Sequence, residues 1–147
     1  MKEVIAIACD HGGFTLKEEL KQHLTDTGYE VLDLGTDSTA SVDYPVYAHL
    51  LCTAIQEGKC RRGILICGTG IGMSIAANKH KGIRAACCGD TFSARFTAMH
   101  NDTNVLCLGA RVLGAGLAID IADTYLQASY EGGRHDKRLA MIAEFEN

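Results

Sequence analysis

The sequence is short of proline, with one in 147 residues, and it contains no repeat or low-complexity run. Linkers and disordered segments are rich in such features, so none is expected. Positive charge is in deficit too. The formal net charge is −4, which argues against nucleic acid as the main partner. No apolar stretch approaches the roughly 18 residues of a membrane span. The opening segment Met1-Lys2-Glu3-Val4-Ile5-Ala6 lacks the layout of a signal peptide. Seven cysteines, at 9, 52, 60, 67, 87, 88 and 107, form no C-x-x-C pair and are odd in number. Most sit in apolar runs, where a free thiol packs as a small hydrophobe. A reducing, cytoplasmic setting is therefore expected.

What is present fits one domain, since single domains commonly run ~100–150 residues. Sixteen glycines against one proline imply many tight strand-to-helix turns. Short apolar runs at 4–8, 31–34, 63–67, 84–88 and 105–108 read as strands. Between and after them, helical patterns fall at 14–24, 73–79, 91–99, 113–127 and 134–145, with a further stripe of Tyr47, Leu50, Leu51, Ala54 and Ile55. Gly63-Ile64-Leu65-Ile66-Cys67 is apolar throughout, as a strand covered on both faces must be. The expected fold is α/β: a three-layer αβα, Rossmann-like domain with a five-stranded parallel sheet and right-handed crossovers. In such sheets ligands bind beyond the carboxyl ends of the strands. Residues 9–13, 35–44, 67–72, 89–91 and 109–111 fall there.

The most informative segment is Cys67-Gly68-Thr69-Gly70-Ile71-Gly72-Met73-Ser74. A thiol ends a buried strand, three glycines turn the chain, and a helix begins. Backbone N–H groups in such a turn converge into an anion nest beside the thiol. The positive end of the helix favours a thiolate. A base beside an oxyanion-stabilising loop is what proton abstraction next to a carbonyl requires. Other glycine-loop chemistries do not match. A Walker A loop needs lysine followed by serine or threonine, and after Cys67 no lysine comes before Lys79. In the dinucleotide fingerprint the third glycine would fall one position later. A cysteine phosphatase loop wants arginine at position 72, where this chain has glycine. A buried cysteine before a packing turn explains the same residues without chemistry.

Other candidates have similarly plain alternatives. Asp10-His11-Gly12-Gly13 ends the first strand, where a carboxylate and an imidazole would bind hydroxyls and shuttle protons. An Asp N-cap beside an exposed histidine reads equally well. His100-Asn101-Asp102 is consistent with simple helix termination, and Asp43-Tyr44-Pro45 with a helix start. Arg111 follows the fifth strand. Arg134 and Arg138 stand one helical turn apart after Gly132-Gly133. Guanidinium forks on one face suit a phosphate, or make a solvated face. His23, His49 and His80 have no evident partners and read as structural. No metal-ligand spacing appears, and Cys87-Cys88 reads as core filling.

Taken together, these motifs resemble the ribose-5-phosphate isomerase type B family, which also holds allose-6-phosphate and galactose-6-phosphate isomerases. The likeness runs from Cys9-Asp10-His11-Gly12-Gly13-Phe14 through Val42-Asp43-Tyr44-Pro45 and residues 63–70 to Ile75-Ala76-Ala77-Asn78-Lys79. It continues through Gly82-Ile83-Arg84-Ala85 and His100-Asn101-Asp102-Thr103-Asn104 to Gly132-Gly133-Arg134-His135. The resemblance implies an aldose–ketose isomerase for ribose 5-phosphate and ribulose 5-phosphate, without metal or organic cofactor. It implies that Cys67 moves the proton through a cis-enediolate, with Thr69 and the amides of Gly68, Gly70, Ile71 and Gly72 holding the oxyanion. His100 is implied as the ring-opening acid/base, aided by Asp10, with Asn101 on sugar oxygens and Tyr44 lining the site. His11, Arg111, Arg134 and Arg138 are implied as the phosphate clamp. Arg134 and Arg138 would come from a second subunit, so that the helix at 134–146 packs on a partner. A homodimer, or a dimer of dimers, follows. One subgroup of the family uses a glutamate where this chain has Met73, which places this chain with the cysteine enzymes. A six-carbon aldose phosphate is the rival substrate, and a non-catalytic phosphosugar-binding module the rival class.

Overall fold

The computed structural model describes residues 1–147. Five strands, β1 (Val4–Cys9), β2 (Glu30–Asp33), β3 (Arg62–Cys67), β4 (Ala85–Cys87) and β5 (Val105–Gly109), form one sheet in the order β2-β1-β3-β5-β4. Every pairing is parallel. Six helices accompany them: α1 (Phe14–Asp26), α2 (Tyr44–Gln56), α3 (Ile71–Ala77), α4 (Thr91–Asn101), α5 (Ala115–Gln127) and α6 (Arg134–Glu144). The strand and helix pattern read from the sequence is the one observed, with boundaries moved by a few residues.

Alternation along the strands builds the three layers. Ile5, Ile7, Ile64, Ile66, Leu106 and Leu108 face one way, onto α1, α4 and α5. Ala6, Ala8, Leu65, Cys67, Val105 and Cys107 face the other, onto α2 and α3. On α1 the four-residue spacing of Leu16, Leu20 and Leu24 puts all three in the first layer. All six residues of β3 are buried, because it is central and covered on both faces.

Polar ties fix the two edges. Lys17 on α1 is fully buried and donates to Asp33 at the end of β2, at 2.7 and 2.8 Å. Burial alone would raise the Asp33 carboxyl. Lys17, the Gly35 amide and Lys21 together outweigh it and hold the group below its ordinary value. At the opposite edge Arg62 forks onto Glu3 at 2.6 and 2.8 Å and donates to the Leu126 carbonyl at 3.1 Å.

Three local expectations need correcting. Cys87 is not core filling: β4 is an edge strand, and its Sγ is exposed, donating to the Thr69 carbonyl at 3.5 Å. His23 meets Asp123 at 2.9 Å. His49 and His80 meet each other at 2.8 Å. Helix α6 is the loosest element, for His135 is its one buried residue, while Met141 and Ile142 on it and Phe145 beyond it are exposed.

Candidate active site

The carboxyl edge of the sheet gathers all of the expected residues except His100, Asn101, Arg134 and Arg138. Cys67 is the last residue of β3, and its Sγ accepts the Gly70 N–H at 3.1 Å. The geometry that allows this is special to glycine. Gly70 has φ 79°, in the left-handed region. Its turn re-aims the chain so that α3 begins at Ile71 with its N-terminus beside the sulfur. The Ile71 amide donates to the Thr69 hydroxyl at 3.2 Å, and the exposed Thr69 hydroxyl stands at the mouth of the loop. Ala110 and Arg111 donate to the carbonyls of Cys67 and Gly68, at 2.9 and 3.0 Å, which ties the loop to the end of β5.

Gly109 sets how close the two ends can come. A Cβ placed on it would lie 2.6 Å from the Thr69 carbonyl oxygen. Gly109→Ala is therefore expected to push the 68–70 turn outward and to cost about 1–3 kcal/mol of stability. A lower midpoint in urea unfolding would show it.

At the same edge of the sheet stand Asp10, His11, Arg111 and Tyr44. The Asp10 carboxylate accepts the amides of Gly12 and Gly13 at 2.9 and 3.2 Å, so it caps the turn into α1. His11 Nδ1 accepts the Val42 N–H at 3.1 Å, which leaves Nε2 to carry the proton of the neutral ring. The Arg111 side chain runs over the backbones of Gly68 and Gly12, its atoms 3.4–3.6 Å from where their Cβ atoms would be. The Tyr44 ring covers Gly72 in the same way, at 2.8 Å. Together with the backbone amides of the loop, these side chains bring a thiol, a carboxylate, one guanidinium and an imidazole donor to one edge. Met73, where a glutamate would be the alternative base, is fully buried among Ala6, Leu65 and Cys107.

The other expected residues lie elsewhere. Helix α4 starts at the carboxyl edge, capped by Asp90, and runs back to the amino edge, where Asp102 ends it at φ 44°. The chain then enters β5 at Val105, while Cys67 pairs with Gly109 at the far end of that strand. Four strand steps of about 3.3 Å, roughly 13 Å in all, separate the two edges. His100 and Asn101 are therefore not brought to Cys67 or Asp10 within one chain. They sit with α6 instead. The His100 ring stacks on His135, with centroids 4.3 Å apart, and Glu131 approaches both. Arg134 and Arg138 are exposed on α6, one turn apart, with Arg138 donating to the Arg134 carbonyl at 3.2 Å. Glu131 and the stacked His135 were missed by sequence reasoning. Their four-residue spacing was visible, but not that His100 would meet them.

Comparison with known proteins gives a consistent result. A model of the ribose/galactose isomerase family matches residues 5–142. Ribose-5-phosphate isomerase B of Escherichia coli is 52% identical over 142 residues, covering 97% of this chain and 95% of that one. D-erythrulose-4-phosphate isomerase of Pectobacterium atrosepticum is 44% identical over 144 residues, covering 97% and 95%. The solved ribose-5-phosphate isomerase B of Clostridium thermocellum superposes with a TM-score of 0.96 at 52% identity, covering 97% of each chain. The Mycoplasma genitalium enzyme, solved with bound ribulose 5-phosphate, gives 0.94 at 40% identity, covering 99% and 97%. No helix of this chain is long and apolar enough to cross a membrane.

Proposed function

The chain belongs to the ribose/galactose isomerase family, and from that premise we propose that it interconverts ribose 5-phosphate and ribulose 5-phosphate with Cys67 as the base. The observation that carries the mechanism is the Cys67 sulfur at the end of β3, held under the Gly70 amide at the start of α3. The reaction moves one hydrogen from C2 to C1 and one from the oxygen on C2 to the oxygen on C1. Oxidation at one carbon is balanced by reduction at its neighbour, so the step needs no external electron acceptor. The Cys67 thiolate takes the C2 proton and delivers it to C1. In between, the cis-enediolate oxygens lie against Thr69 and the loop amides of Gly68 and Gly72, while the Gly70 and Ile71 amides hold the Cys67 sulfur and the Thr69 hydroxyl. Tyr44 walls the sugar.

One chain supplies only half of this site. His11 and Arg111 meet the phosphate from the Cys67 edge. Ring opening by His100, binding of sugar oxygens by Asn101, and the Arg134–Arg138 fork must reach the same substrate from a second copy, since their own chain holds them at the opposite edge of its sheet. An isologous homodimer presents the amino edge of each chain to the carboxyl edge of the other and completes two sites at once. A dimer of dimers would preserve both. Apolar surface supports this arrangement: Ile71 and Ile75 on α3, Phe92 on α4, Met141 and Ile142 on α6, and Phe145 beyond it are all exposed. In the dimer the 134–146 segment packs on the partner subunit. The seven unpaired cysteines suit a reducing cytoplasm.

Substrate length is the property to measure. Purified protein assayed in parallel on ribose 5-phosphate, allose 6-phosphate and erythrulose 4-phosphate is expected to show a kcat/KM at least about tenfold higher on the five-carbon sugar. A higher value on either of the others would overturn that choice and leave the isomerase chemistry in place.

A further inference from the structure

At the amino edge, away from Cys67, two imidazoles and a carboxylate converge without bonding to one another. Glu131 Oε1 lies 3.6 Å from His100 Nε2, and Glu131 Oε2 lies 3.7 Å from His135 Nε2. Both separations are too long for hydrogen bonds. Both are close to the edge of a tetrahedral zinc shell, about 3.3 Å when the bonds are 2.0–2.1 Å. One ligand atom from each of the three residues lies within 4.8 Å of the other two. His135 is buried, and its Nε2 has no hydrogen-bond partner at all, which is rare for a buried polar atom. The near-parallel stacking of the two rings, at 20°, turns both Nε2 atoms toward the same carboxylate.

We propose that His100, Glu131 and His135 form a binding site for a divalent transition cation of the zinc class. Two imidazole nitrogens and one carboxylate oxygen are a donor set that such cations favour. Closing the shell takes a rotation of the exposed Glu131 and an opening of the His100–His135 stack, and the solvent side leaves a fourth position open for water. Arg134 and Arg138 oppose a cation here, but both are exposed and screened by salt. Occupancy has a functional consequence, which rests on the role given to His100 above. A cation that takes the His100 nitrogen withdraws the ring-opening acid/base, so zinc would inhibit turnover.

Calorimetric titration of metal-free protein with zinc chloride tests the site. The expected result is one Zn²⁺ per chain in wild type. Affinity should fall at least about tenfold in Glu131→Gln and in His135→Gln. It should be unchanged in Cys67→Ser and in Cys87→Ser, which remove the competing thiols of the site loop and of the exposed edge strand. Circular dichroism melts confirm that the variants are folded. No stoichiometric binding, or undiminished affinity in both Glu131→Gln and His135→Gln, would overturn the proposal. Isomerase assays on the same samples separate the two readings. Turnover falling in step with occupancy supports both. Stoichiometric zinc with full turnover upholds the cation site and contradicts the placing of His100 at the sugar.

Discussion

Cys67→Ala is expected to lower kcat on ribose 5-phosphate by about 10²–10⁴-fold, the contribution of a positioned general base. KM should stay within a few-fold, because the thiol touches the reacting carbons while the phosphate and hydroxyls are held by other groups. The size of the effect follows from the lack of a substitute. Asp10 is committed to the Gly12 and Gly13 amides. His11 keeps its Nδ1 on the Val42 amide. Met73 occupies the position of the alternative base and is buried. Alanine fits the same small apolar space, so the variant should fold. Cys52→Ala serves as the control, since Cys52 is equally buried but lies on α2, remote from the loop. Its kcat should match wild type.

A mixture of two dead variants is expected to come back to life. On the proposed mechanism, Cys67→Ala lacks the base at the carboxyl edge, and His100→Asn lacks the acid/base at the amino edge. In a homodimer of either, both sites carry a lesion. A mixed dimer places both lesions in one site and leaves the other intact. Random exchange of equal amounts therefore restores about a quarter of wild-type activity, since half the dimers are mixed and each has one working site. Native mass spectrometry gives the mixed fraction, and activity should rise in proportion to it. If chain exchange is complete and activity stays at the level of the separate variants, Cys67 and His100 act within the same chain and the shared site is wrong. The same outcome is expected when Arg134→Ala replaces His100→Asn, with recovery seen chiefly at low substrate.

Much of this molecule was legible in its residues, for physical reasons. The alternation of Ile5, Ile7, Ile64 and Ile66 against Ala6, Ala8 and Leu65 writes out two buried faces, and with them three layers. Cys67 before three glycines marks a strand end and a nest, whatever the strand order. The order β2-β1-β3-β5-β4 itself was not legible, because pairing partners are chosen by packing at long range. That is why Cys87, on an edge strand, was read as core. His23 and Asp123 lie 100 residues apart in sequence, and no spacing rule reaches across that distance. The position of His100 was legible in principle, since a helix leading into β5 must end where β5 begins. Reading it as a partner of Asp10 joined two residues that one chain holds at opposite edges. That separation is the reason a second copy is proposed to complete the site.

Isotope exchange tests directly whether Cys67 carries the proton. Wild-type enzyme turning over ribose 5-phosphate in D₂O should give ribulose 5-phosphate with deuterium at C1, detected by mass spectrometry and NMR, because a thiol trades its proton with solvent between turnovers. Cys67→Ala should introduce it about 10²–10⁴-fold more slowly, in step with its loss of turnover. Deuterium entering at the wild-type rate in Cys67→Ala would contradict the mechanism.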